Sequence, residues 1–122
     1  MRIGILCAIP EELRHFSPSS LPAARLGGRD YFQGKHGSHE LTLVESGIGK
    51  VNSAMASTVL IQHFSCELLI FSGVAGGLDP SLQIGDLVIA EELWQHDYGT
   101  IIDQELIAVS YTHLTLPTKV TV

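Results

Sequence analysis

The chain is poor in positive charge. Its 122 residues hold 7 Lys and Arg against 13 Asp and Glu, a formal charge of −6. Such a balance leaves no basic surface to neutralise a phosphate backbone, and nucleic acid is excluded as the expected partner. Long apolar runs are missing too. Runs such as Leu68 to Phe71 and Leu87 to Ala90 fall far short of the roughly 20 residues a membrane helix needs, so no membrane partner is expected. The opening MRIGILCAIPEEL reaches acidic residues quickly and lacks the small-residue cleavage pattern of a secretory signal, which predicts a cytoplasmic protein. Cysteine is scarce: Cys7 and Cys66 form no Cys-x-x-Cys pair, which excludes a disulfide scaffold and predicts two buried, reduced thiols. Of the 6 histidines only His36 and His39 are close, flanking Gly37-Ser38. No ligand cluster has zinc-like spacing, so no metal is expected.

What is present is a short chain with 45 % hydrophobic residues, enough for one core, which means one domain or part of one. Arg2 to Ala8 is a nearly continuous apolar run and predicts a central strand covered on both faces. Pro10 ends it, and Glu11-Glu12-Leu13 open a short helix with acids in its first turn, broken by Ser17-Pro18-Ser19-Ser20 and Pro22. Tyr31 to Lys35 and Glu40 to Glu45 alternate more loosely around His36-Gly37-Ser38-His39, the pattern of an antiparallel hairpin. Lys50 to Phe64 predicts a helix with Val51, Ala54, Thr58 and Ile61 on its packed face. Glu67 to Phe71 and Asp86 to Ala90 predict further buried strands. The expectation is an α/β fold with a mixed sheet.

Three loops leave buried strands at their C-terminal ends: Ala8-Ile9-Pro10-Glu11-Glu12, Ser46-Gly47-Ile48-Gly49 and Gly73-Val74-Ala75-Gly76-Gly77. Such ends form the ligand crevice of open α/β sheets, and glycines let bare N–H groups approach a ligand. Taken singly, each glycine pair is equally an ordinary tight turn. Familiar cofactor motifs fail. A Walker loop would need Ser or Thr after Gly49-Lys50, where Val51 stands; a dinucleotide fingerprint would need glycine at Asn52; an esterase elbow would need glycine at Val44. No cofactor is expected. Glu11 and Glu12 are the acidic pair at the first strand's exit, and a carboxylate there is either a general base or a solvated charge at a helix start. His96-Asp97-Tyr98-Gly99 is read as a loop, because neighbouring side chains on a strand point to opposite faces.

The segments MRIGILCAIPEEL, VESGIGKVNSA, FSGVAGGLDPSLQIGDLVIA and HDYG together resemble, in order and spacing, the N-terminal half of the bacterial 5'-methylthioadenosine/S-adenosylhomocysteine nucleosidases, a branch of the nucleoside phosphorylase superfamily. The resemblance runs from Met1 to about Ile107. It implies a three-layer α/β/α sandwich around a mixed central sheet, a homodimer, and hydrolysis of the N-glycosidic bond of a small-molecule nucleoside to release adenine. By the same resemblance Glu12 is the water-activating carboxylate, Ala8 and Ile9 line the substrate pocket, Ile48 lines the ribose and alkylthio side, and Val74, Ala75 and Gly76 lie against the purine, with Val74 replacing a Ser of some members. Phosphorylases of the superfamily hold phosphate with arginine, often in the loop after the first strand. Here that loop carries two glutamates, which would repel a phosphate dianion and favour water as the nucleophile. Futalosine-type nucleosides and a non-catalytic adenine-binding module stay open as alternatives.

The family's Met-Glu and Ser-Asp motifs, which supply a ribose-gripping carboxylate and a purine-protonating acid, do not occur in the sequence. The expectation is therefore a truncated domain with little activity: residues 1–109 form the N-terminal part of a nucleosidase domain, and residues 110–122 a Thr-rich tail foreign to the family. An edge strand containing Pro117 is the other reading of that tail.

Overall fold

The computed structural model describes residues 1–95, 97–108, 111–112 and 120–121. Its centre is β1 (Arg2–Cys7), followed by the one-turn helix α1 (Pro10–Leu13) and two short 3-10 turns at Arg14–Phe16 and Pro18–Ser20. Then come β2 (Ala23–Leu26), β3 (Arg29–His36), β4 (His39–Glu45), α2 (Lys50–Gln62) and β5 (Leu68–Phe71). These strands make one sheet in the order β2-β3-β4-β1-β5. β1 runs parallel to both β4 and β5, while β2, β3 and β4 pair antiparallel. The sheet is mixed, as expected, and β1 lies inside it.

The alternation of side chains along β1 divides the core in two. Leu6 joins Tyr31, Val44, Ala56, Leu60 and Cys66 beneath α2, whereas Ile5 and Cys7 join Leu13 and Leu43 beneath α1 on the other face. Both faces of β1 are thus covered, which is why its sequence reads as an unbroken apolar run. Tyr31, paired with the ring of Phe64 at 5.1 Å between centroids, closes the α2 side. Gly4 is part of the same fit: a Cβ there would lie 2.7 Å from Leu69 Cδ2, 2.9 Å from Leu60 Cδ1 and 3.3 Å from Cys66 Sγ.

Four expectations need correction. The packed face of α2 carries Ala56 and Leu60, with Val59 beside them, whereas Val51, Ala54, Thr58 and Ile61 all point to the exposed side. Apolar residues occur all round this helix, so periodicity did not choose a face. Ala56 and Leu60, both fully buried, are the residues that meet the core, and packing rather than periodicity sets the face. Second, β5 is half-buried rather than fully covered. Third, only Ile89–Ala90 of the predicted strand Asp86 to Ala90 is extended (β6), and it pairs with Val120–Thr121 instead of joining the main sheet. Its Leu87 is 70 % exposed, because no described element packs over it. Fourth, the strand Ala23–Leu26, too short to register as a periodic run and so not predicted, adds an edge to the hairpin. Beyond β6, Leu93–Trp94 (β7) is extended, and a hairpin of β8 (Gly99–Ile102) and β9 (Glu105–Ala108) follows. Most of the expected foreign tail, like His96, lies outside the described residues.

Both cysteines are free and buried. Burial, reinforced by the negative charge of Glu12, pushes the Cys7 thiol up from 9.0 to about 11. Burial also raises Cys66, although a hydrogen bond involving Thr42 and the charge of Arg2 pull the other way. A raised thiol pKa means the unfolded chain loses its proton first, so stability falls as pH climbs through the window from 9 to about 11. Denaturant melts between pH 8 and 11 should display that loss, and iodoacetamide at pH 8 should label Cys7 only as fast as the chain unfolds. Gly4→Val should destabilise the fold by about 1–3 kcal/mol through overpacking, read as a lower denaturation midpoint.

Candidate active site

Parallel pairing places three strand ends side by side. The register that sets Cys7 opposite Glu45 and Leu6 opposite Phe71 continues one step further: Ser46 N–H donates to the Cys7 carbonyl at 2.8 Å, and Ser72 N–H donates to the Leu6 carbonyl at 2.9 Å. The chain therefore leaves β1, β4 and β5 at one level and along one edge. That is the crevice position of an open α/β sheet.

α1 fills the β1 exit, and its local chemistry explains why it starts there. Ile9 is the N-cap in extended conformation and Pro10 occupies the first helical position, where its missing N–H costs nothing. Glu12, at the third position, turns back on the helix start in the manner of a capping-box acid. Its Oε2 accepts from the N–H of Ala8 at 2.9 Å and of Ile9 at 3.3 Å. Its Oε1 reaches across to the β5 exit and accepts from the N–H of Val74 at 3.0 Å. One half-buried carboxylate thereby joins two loops separated by 62 residues. An ionised carboxylate has about four acceptor positions, so three N–H donors leave room for a further partner such as water.

Gly73 makes that reach possible. A Cβ on it would stand 2.7 Å from Glu12 Oε1 and 3.0 Å from the carboxyl carbon. Val74 is 83 % exposed, so its side chain plays no part in holding Glu12 and its backbone N–H does. The Ser-to-Val change noted from the sequence leaves this contact intact. Val74, Ala75 and Gly76 line an open groove of about 720 Å³ that continues along residues 77–88; Glu12 is not part of that lining.

The third loop stands beside these two. Ser46 is fully buried, its Oγ donating to the Cys7 carbonyl at 3.3 Å, and Gly47 and Gly49 have φ of 80° and 100°, conformations that suit glycine. Between them Ile48 presents its side chain to the open, 75 % exposed. The structure thus brings Ala8, Ile9, Glu12 and Val74 into one hydrogen-bonded set, with Ile48 on the adjacent loop. Glu11 is exposed, on the outer side of α1. Asp97, one residue of the HDYG motif, accepts from Lys50 Nζ at 2.9 Å and 2.8 Å through its two oxygens, which ties that segment to the first turn of α2.

Sequence reasoning missed three participants. Gly73 was read only as one glycine of a strand-end loop, although its place directly before the N–H that binds Glu12 is specific. Arg29, which belongs to none of the quoted segments, and Asn52, which lies in VESGIGKVNSA but was given no role there, hold the Ser46–Gly49 loop from behind. Arg29 Nε donates to the Ser46 carbonyl at 2.9 Å, and Asn52 Nδ2 donates to the Ile48 carbonyl at 2.8 Å. Pairing of β3 with β4 was the only signal that could have placed Arg29 there.

Proteins similar to this chain are known. A 5'-methylthioadenosine/S-adenosylhomocysteine nucleosidase of Mycobacterium bovis is 41 % identical over 106 residues, covering 85 % of this chain and 42 % of the relative. An aminodeoxyfutalosine nucleosidase of Campylobacter jejuni is 39 % identical over 99 residues, covering 80 % of this chain and 43 % of that protein. Among solved structures, an S-adenosylhomocysteine nucleosidase of Streptococcus pyogenes in complex with 5-methylthiotubericidin superposes with a TM-score of 0.76 at 40 % identity, over 80 % of this chain and 42 % of that one. The chain therefore spans less than half the length of these relatives. Residues 2–115 match the Phosphorylase superfamily, and with a match of that extent the chain belongs to that superfamily.

Proposed function

We propose that this chain is the N-terminal part of a nucleosidase that hydrolyses the N-glycosidic bond of 5'-methylthioadenosine and S-adenosylhomocysteine, releasing adenine. The observation that carries the reading is the Glu12 carboxylate, held inward by the N–H groups of Ala8, Ile9 and Val74 with acceptor capacity left over. In this reading the C1'–N9 bond breaks with its electron pair moving to the base, and the sugar becomes oxocarbenium-like. Glu12 stabilises that positive charge and takes a proton from the water that attacks C1'. Ala8 and Ile9 border the reacting centre, Ile48 contacts the ribose and alkylthio side, and Val74, Ala75 and Gly76 lie along the purine. Protonation of the departing base falls to the remainder of the domain, so residues 1–109 work as one half of a site and the 122-residue chain alone turns over slowly.

The nucleosidase names of the relatives support water as the nucleophile, as does a β1 exit loop that carries Glu11 and Glu12 rather than arginine. The wider setting is part of the proposal: a cytoplasmic homodimer in methionine salvage, acting on a small-molecule nucleoside without nucleic acid or membrane. A second reading is favoured by the Campylobacter jejuni relative, in which an aminodeoxyfutalosine-type nucleoside is the substrate of the same machinery.

Adenine release distinguishes these readings. The chain joined to the second half of the Mycobacterium bovis relative should cleave 5'-methylthioadenosine, and Glu12→Gln should lower kcat by about 10²- to 10⁴-fold, the usual size of a general-base contribution. Unchanged turnover in Glu12→Gln would refute the mechanism, and exclusive cleavage of the futalosine-type nucleoside would favour the second reading. Gly73→Ala should behave characteristically in the same protein. Its Cβ meets the movable end of Glu12 rather than backbone, so thermal stability should change little while kcat falls at least tenfold through displacement of the carboxylate.

A further inference from the structure

The loop that carries Ile48 has little packing to hold it. Two of its four residues are glycines at positive φ, and Ile48 itself is 75 % exposed. The loop's buried first residue, Ser46, holds the Gly47 carbonyl through Oγ at 3.0 Å, and the carbonyls of Ser46 and Ile48 are gripped from outside the loop. In the β3–β4 ladder Tyr31 faces Val44, so extending the register by two residues sets Arg29 opposite Ser46. There the half-buried guanidinium uses two donors at once. Nε donates to the Ser46 carbonyl at 2.9 Å, and Nη2 donates to Asn52 Oδ1 at 2.5 Å. Asn52, on the first turn of α2, passes the constraint on: its Nδ2 donates to the Ile48 carbonyl at 2.8 Å. The same amide packs against Gly47, where a Cβ would lie 3.2 Å from Nδ2. The neighbouring Asp30 is engaged elsewhere, by Arg25 at 2.9 Å.

We propose that Arg29 and Asn52 are positioning residues that lock the Ser46–Gly49 loop and so fix Ile48 against the sugar side of the bound nucleoside. Neither touches the reacting atoms. The inference rests on the nucleosidase reading for what Ile48 contacts, and on geometry alone for the lock. Arginine suits this place because its planar fork offers donors in fixed directions, whereas the ammonium of a lysine on a flexible stem holds neither acceptor in a set direction. Preorganising the loop before binding removes an ordering cost that the ligand would otherwise meet.

The test uses the 122-residue chain and three variants, Arg29→Met, Arg29→Lys and Asn52→Ala, with amide hydrogen exchange at residues 47–49 and calorimetric binding of 5'-methylthioadenosine and of adenine. Arg29→Met and Asn52→Ala should speed exchange about 10- to 100-fold, the scale of one lost hydrogen bond to a charged group or its relay. Both should weaken 5'-methylthioadenosine binding about tenfold and leave adenine binding unchanged, since the base lies against a different loop; Arg29→Lys should not rescue either effect. Asn52→Ala keeps the test open if Arg29→Met fails to fold. Unchanged exchange, or an equal loss for adenine and 5'-methylthioadenosine, overturns the proposal. The nucleosidase reading is judged separately, on the chain joined to the second half of the Mycobacterium bovis relative: no binding of 5'-methylthioadenosine by that protein overturns it, while the exchange rates of the 122-residue chain judge the lock.

Discussion

A single carboxylate organises one end of this molecule. Glu12 accepts N–H groups from the β1 exit and from the β5 exit, so the same ionised group caps a one-turn helix and pins two strand-end loops together. A four-residue helix has little stability of its own. What fixes it is Leu13 in the core beneath it and Glu12 above, and the side chain that closes the helix start is thereby aimed over the crevice. Cap and candidate base are one residue because the geometry that satisfies the N-cap N–H also turns the carboxylate inward.

The fold supplies the rest of the arrangement. Three parallel strands with in-step registers deliver their exits to one edge, and the two-faced core around β1 holds that edge rigid. Glycine does its work at particular points there. Gly73 leaves the volume that the Glu12 carboxylate occupies, and Gly47 and Gly49 take backbone conformations that bring the Ile48 loop up to the crevice. The apolar surface of residues 78–88 follows from the same plan: Leu78, Ile84 and Leu87 are highly exposed, on a segment with no described element over it.

Much of this was legible in the residues. The doubly buried β1, the hairpin around Gly37, the parallel neighbours and the Glu12 loop follow from run length, turn chemistry and the spacing of strand and helix signals. The face of α2 was not, because apolar and small residues surround that helix and only its tertiary packing, through Ala56 and Leu60, breaks the tie. The strand from Asp86 was over-read, since an apolar run becomes a buried strand only when a partner covers it. Arg29 and Asn52 escaped notice for another reason. Their importance comes from a cross-strand register and a helix turn meeting in space: Arg29 leaves no local pattern, and Asn52 sits in a quoted segment that says nothing of its partner.

The account turns on where the Glu12 carboxylate points when a nucleoside is bound and what stands beyond it. A crystal structure of the chain with 5-methylthiotubericidin, the ligand of the Streptococcus pyogenes relative, addresses this directly. The account predicts Glu12 still bonded to the Ala8 and Val74 N–H groups, with an ordered water about 2.6–3.2 Å from its free acceptor position on the side of C1' away from the base. A carboxylate rotated into solvent, with the ligand seated elsewhere, would contradict it.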